Sequence, residues 1–206
     1  MRSLLQVAVA GAIVASTYYA IVRIAEHKAD ALAGGGTHPI DGRHAAEGEA
    51  LDALSGQLRG WGEHELAASL ARLQGSGHLW VAPRLTGGRS AIYVNALGIV
   101  SRIYVRSDEL VDRSLPFPDL DIPEEAQRTF ARIRLAGTLF HEIEHYQGVE
   151  DEGDAYEREM AWYQGLGERA ADRLEGEQGR WFDWAVASAL GSAAAAREKA
   201  TGAPDS

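Results

Sequence analysis

Residues 121–147 constrain this 206-residue chain more than any other stretch. The stretch has no proline after Pro123, opens with Asp121-x-x-Glu124 in the manner of a capping box, and runs to Gly148, a usual helix stop. The spacing predicts one helix of roughly 25 residues. Leu135, Leu139 and Ile143 recur at i, i+4, with Ile133 and Phe140 alongside, so one broad side of that helix is expected to be buried. Its last turns read His141-Glu142-Ile143-Glu144-His145. Residues four apart on a helix share a face one turn apart. Both imidazoles can therefore bind one metal ion at the boundary of the core, with Glu142 beside it.

A catalytic zinc takes three protein ligands and leaves one position for water. The chain has no cysteine, so nitrogen and oxygen must supply all three. The segment 149–159 is strongly acidic and reads as the start of a second helix. In an antiparallel hairpin turning at Gly148, residues equidistant from the turn face one another, which sets His145 opposite Glu152 and His141 opposite Tyr156. Glu152 is then the best-placed third ligand, with Asp154 and next Glu157 as substitutes. Carboxylates at a solvated helix N-terminus are favourable without any metal, and that explanation covers all three. A di-iron carboxylate site would need a second Glu-x-x-His besides Glu142 and His145. The sequence holds none.

His141-Glu142-x-x-His145 followed by Glu152-x-x-Ala155-Tyr156 resembles the gluzincin group of zinc metallopeptidases, over roughly residues 125–165. In that group the third ligand is a glutamate on a following helix. The gap between His145 and Glu152 is shorter than in thermolysin-like members, and Tyr156 stands where many carry an aspartate that supports a ligand histidine. The resemblance implies hydrolysis of a peptide bond in a peptide or protein substrate, with one Zn2+ per chain. Zinc lowers the pKa of bound water to about 7 and polarises a carbonyl, and Glu142 would act as general base and then general acid. Tyr156 and Tyr163 are the candidate donors to a tetrahedral oxyanion.

The net charge of −10 argues against a nucleic-acid binder, which needs a basic face to neutralise phosphates. Residues 4–22 carry no charge between Arg2 and Arg23, and as a helix they would span nearly 30 Å, about one bilayer core. A single-pass membrane anchor is the leading expectation, with the catalytic part outside the cytoplasm. The alternatives are a cleaved signal peptide, giving a secreted protein, and a buried N-terminal helix. The expected organisation is therefore an anchor or signal segment at 1–26, a flexible glycine-rich linker at 27–48, a folded domain at 49–200 and a frayed tail at 201–206.

Within the domain, Leu51, Leu54, Leu58, Leu66 and Leu70 keep helical rhythm across Gly60 and Gly62, predicting two short helices. Three strand-like runs follow, at 78–85, 91–95 and 99–106. Residues 107–121 read as an exposed loop that borders the cleft, and Trp162, Trp181, Phe182 and Trp184 as core or interface aromatics. The other five histidines, His27, His38, His44, His64 and His78, are read as solvated. The expected class is α+β: a mostly helical, zincin-like domain with a small antiparallel sheet before the His141 helix, preceded by a hydrophobic helix. An edge strand of that sheet would pair with an extended peptide. The competing class is a non-catalytic scaffold or metal-stabilised interaction module, which would need no general base at Glu142.

Overall fold

The computed structural model describes residues 2–41, 45–111 and 115–202, with side chains from residue 12 onward. It is mostly helical, with one small mixed sheet, and so belongs to the α+β class. In chain order the elements are α1 (Arg2–Ala33), β1 (His38–Pro39), α2 (Ala45–Gly60), α3 (His64–Gly75), β2 (Leu79–Ala82), β3 (Ala91–Ala96), β4 (Val100–Arg106), α4 (Ser107–Val111), α5 (Glu124–Tyr146), α6 (Glu152–Ala171) and α7 (Gly176–Thr201).

The sheet order is β1-β2-β4-β3, and the sheet is mixed where an antiparallel one was expected. β2 pairs with β4 in parallel, Val81 against Val105, while β3 and β4 form an antiparallel hairpin. The connection from β2 to β3 carries the chain past the place that β4 then fills, so β3 lies at the free edge. Side chains alternate between faces along each strand. Leu79, Val81, Ala91, Ile103 and Val105 point into the larger core, shared with α2, α3, α5, α6 and α7. Ala82, Val94, Ala96 and Tyr104 point the other way, against α1.

That contact with α1 replaces part of the expected flexible linker at 27–48. Helix α1 runs to Ala33, and Ala25, Ala29 and Ala33, at i, i+4, i+8, are wholly buried on the sheet. Methyl side chains let the helix axis approach closely, and this apolar stripe is too small to stand out among Glu26, His27, Lys28 and Asp30. The glycines at 34–36 form a tight turn, all with positive φ; a Cβ on Gly34 would lie 2.7 Å from the Arg84 carbonyl oxygen. The turn is held by Asp30, which accepts from the Thr37 amide at 3.0 Å and its hydroxyl at 2.6 Å. Residues 42–44 of the linker, with His44, and 203–206 of the tail lie outside the described residues.

These hydrogen bonds, the side-chain one first, hold the Asp30 pKa below the ordinary carboxylate range. A depressed carboxylate contributes stability above its unfolded pKa and loses it as pH falls through the folded value. Asp30→Ala is expected to cost about 1 kcal/mol in urea unfolding at neutral pH, the size of such hydrogen bonds. The difference from the parent should vanish in strong acid. A difference that persists there would mean that the carboxylate charge is irrelevant to this corner.

Among the described residues, no helix is long and apolar enough to cross a membrane. The expected anchor at 4–22 falls partly on residues 2–11, whose side chains lie outside the described set. The capping box at Asp121 and Glu124 does not form either. Pro123 is the N-cap of α5 and makes no side-chain cap. The buried Gln127 instead accepts from the Phe117 amide and donates to the Ile122 carbonyl, both at 2.9 Å. That bond draws the preceding loop inward. Phe117 packs on Phe130 and Trp184 and so tucks one side chain of the loop against the core, while residues 116 and 118–121 are exposed as expected and none of the described loop residues lines the metal cleft; 112–114 lie outside the described residues.

Candidate metal centre

Gly148, with φ 103°, ends α5 and reverses the chain. The turn is closed by the Val149 amide donating to the Glu144 carbonyl at 3.0 Å, and it carries the Val149 carbonyl to His145 Nδ1 at 2.6 Å. A carbonyl only accepts, so His145 Nδ1 carries the proton and Nε2 is left with its lone pair. Asp151 then caps α6, its side chain accepting from the Asp154 amide. Helix α6 returns antiparallel along α5, as the equal-distance argument expects.

The two helices bring three donor atoms together. His141 Nε2 lies 3.1 Å from His145 Nε2, and Glu152 Oε2 lies 3.2 Å from the first and 3.6 Å from the second. His141, His145 and Glu152 form a group that can hold a metal ion. Asp154 and Glu157 do not join it: Asp154 sits exposed in the first turn of α6, and Glu157 pairs with Arg197 of α7. Tyr156 faces His141 as expected, with ring centroids 4.4 Å apart.

Glu159, absent from the expected site, supports His141 from behind. Its Oε2 lies 3.2 Å from His141 Nδ1, and both side chains are 7% exposed. That nitrogen is buried, and its approach to Glu159 is an ion-pair contact without the alignment of a full hydrogen bond. In a neutral ring with its proton on Nδ1, toward Glu159, Nε2 would keep its lone pair toward the centre for a metal ion. Burial and the neighbouring Glu159 carboxylate raise the Tyr163 pKa, so its hydroxyl stays protonated, and Tyr163 lines the same cleft as His141 and Tyr156. The Tyr163 oxygen rests on Gly137 of α5, where a Cβ would lie 2.0 Å away. Both residues left a trace in the sequence. Glu152, Tyr156, Glu159 and Tyr163 stand at i, i+4, i+7, i+11, one face of a helix, and a glycine inside a helix costs about 1 kcal/mol unless packing requires it.

Glu142 is 6% exposed and accepts a hydrogen bond of 2.6 Å from the Tyr93 amide. This amide is free because β3 is an edge strand and its Tyr93 N–H points away from β4. Burial raises the Glu142 pKa, partly offset by the neighbouring His141 and the Tyr93 amide. Burial works against charge on His141, but the Glu159, Glu142 and Glu152 carboxylates outweigh it and raise its pKa. The Tyr156 pKa is raised by burial and by Glu152 and Glu159, so its hydroxyl stays a donor at neutral pH. The centre opens into a cleft of about 520 Å³. α7 forms the far wall with small side chains, among them Ala189, Ser192, Ala193 and Ala196.

No protein-family model, curated protein or solved structure matches this chain. The chemistry of the centre follows from its own atoms. Two imidazole lone pairs and a carboxylate oxygen converge within 3.6 Å, and such a cluster repels itself unless a cation or a proton sits within it. That donor set, nitrogen and oxygen with one buried supporting carboxylate, fits a divalent metal ion.

Proposed function

We propose that this chain is a zinc-dependent metallopeptidase of gluzincin-like type, with His141, His145 and Glu152 as ligands and Glu142 as the proton-transfer group. The convergence of three potential ligand atoms, two imidazole nitrogens and a carboxylate oxygen, carries the reading. Ligands 2.0–2.2 Å from a tetrahedral zinc lie about 3.3–3.5 Å from one another. The separations here are 3.1, 3.2 and 3.6 Å. When bound, zinc supplies a water with a pKa of about 7 and polarises the substrate carbonyl.

The chain's own groups complete the chemistry. Glu142 Oε2 is held by the Tyr93 amide, which leaves Oε1 to take a proton from the water and return it to the leaving amine. Its raised pKa suits a group that must hold a proton in passing. Tyr156 is the donor at the developing oxyanion. An extended peptide lies along the free edge of β3, where the outward main-chain groups of Ala91 and Asn95 can pair with it.

One observation favours a second reading, a metal-stabilised interaction module without catalysis. The Glu142 contact with Tyr93 ties α5 to the sheet, so a buried carboxylate there has a structural use even without chemistry. The deciding experiment measures metal content and peptide hydrolysis on the full chain in detergent. About one zinc per chain is expected, with hydrolysis abolished by chelation and restored by zinc. Glu152→Ala should weaken zinc binding and Asp154→Ala should leave it as in the parent. Stoichiometric zinc with no hydrolysis of a diverse peptide library supports the second reading, and absence of zinc removes both.

The outer half of α1 is proposed as a membrane contact that keeps the cleft outside the cytoplasm, unless the segment is cleaved and the protein secreted. Side chains at 12–21 are exposed on every side of the helix, including Ile13, Val14, Tyr18 and Tyr19. A helix apolar all round gains stability when lipid covers it. The full chain should float with phosphatidylcholine vesicles in a density gradient; recovery at the bottom would reject the contact.

A further inference from the structure

The metal cleft borders a second groove, of about 420 Å³, formed by Leu32 at the end of α1, the 86–88 turn and residues 92–95 of β3. Arg89 is the one described residue that lines both. The other cation of the cleft, Arg134, is occupied by both oxygens of Glu109, at 3.2 and 2.9 Å. Arg89 is exposed and has no hydrogen bond or ion pair among the described residues. In a chain with 30 acidic and 20 basic residues, surface guanidinium groups commonly find a carboxylate, as Arg102 does with Glu26 and Arg158 with Glu144. Arg89 lines the metal cleft together with His141, Glu142, Glu152 and Tyr156, so it stands close to the reacting centre.

We propose that Arg89 binds a carboxylate of the substrate, either a peptide C-terminus or an aspartate or glutamate side chain, and makes the cleft selective for acidic peptides. This rests on the metallopeptidase reading. A planar guanidinium grips a carboxylate through two parallel hydrogen bonds, a geometry that lysine does not reproduce. Position sets the register. Arg89 leaves the turn in extended conformation, φ −67° and ψ 153°, and runs directly into β3. At about 3.3 Å per residue its Cα lies roughly 13 Å along the chain from Tyr93, which holds Glu142. A peptide laid along the same edge has the same rise, so the recognised carboxylate falls about two to four residues from the scissile bond.

The test uses the full chain carrying Glu142→Gln, so that binding is read apart from turnover, with three acetylated pentaalanine probes. One has a free C-terminus, one is the amide, and one is the amide with a single alanine replaced by glutamate. Calorimetry should show an acidic probe binding about tenfold tighter than the neutral amide. Adding Arg89→Ala should bring that ratio close to one, and Arg89→Lys should give an intermediate ratio. Arg180→Ala, an equal loss of charge at an exposed position near the start of α7, should keep the parent ratio. Preference for the free acid alone assigns the carboxylate to a C-terminus, and preference for the glutamate probe assigns it to a side chain. Equal binding of all three probes overturns the proposal, and so does a preference that Arg89→Ala leaves intact, which would give the carboxylate to the metal. Metal analysis of the same samples keeps the two readings apart: protein without zinc removes the peptidase reading, while the probe ratio on that protein still decides for or against Arg89.

Discussion

Zinc is expected to leave the protein when either His141 or His145 becomes alanine, and to stay when Glu142 becomes glutamine. Each histidine supplies one of three donor atoms, and Asp154 and Glu157, the two substitutes considered for Glu152, sit exposed or paired with Arg197. Loss of affinity should exceed the roughly 10- to 100-fold typical of residues that only support a ligand. Glu142→Gln removes the proton acceptor but keeps an amide oxygen that can still accept from the Tyr93 amide, so the tie between α5 and β3 survives. Hydrolysis should fall by about 10²–10⁴-fold with zinc content unchanged. Metal titration against a chelator, together with peptide turnover, checks both halves. A His141→Ala protein that binds zinc like the parent would overturn the ligand assignment.

Gly137→Ala should be nearly as damaging, although it touches neither metal nor substrate. In an open helix this change stabilises by about 1 kcal/mol. Here the new Cβ would stand 2.0 Å from the Tyr163 oxygen and 2.3 Å from the ring carbon bearing it, so the whole ring must move. Overpacking of this kind costs about 1–3 kcal/mol. Displacement also moves the ring that stands beside Glu159, a carboxylate 5% exposed, and so disturbs the group next to His141 Nδ1. The expected outcome is a lower melting temperature together with zinc affinity reduced about 10- to 100-fold. Glu159→Gln should reproduce the loss of affinity with a smaller change in melting, and Tyr163→Phe should weaken affinity least. If Gly137→Ala melts and binds zinc as the parent does, the contact chain from α5 through Tyr163 to His141 is not what holds the centre.

The helical hairpin was legible before any coordinates because it depends on local quantities. Helical spacing put His141 and His145 on one face, and equal distance from Gly148 set Glu152 against His145 and Tyr156 against His141. The same periodicity extended to Glu159, but an acidic run at a helix start has a sufficient local explanation and hid the one buried carboxylate in it. Ala25, Ala29 and Ala33 were hidden by their size, and the glycines at 34–36 resembled a tether because nothing local reveals that the Arg84 carbonyl crowds Gly34.

The sequence by itself determined a pair of antiparallel helices with two imidazoles and a carboxylate at their joined end, since chain stereochemistry and counting from a turn suffice for that. Only the tertiary structure decided that β4 enters between β2 and β3, that the exposed edge lends the Tyr93 amide to Glu142, and that α7 closes the cleft with small side chains. Strand order and helix docking join residues far apart along the chain, and their free energy lies in contacts that no single stretch of sequence contains.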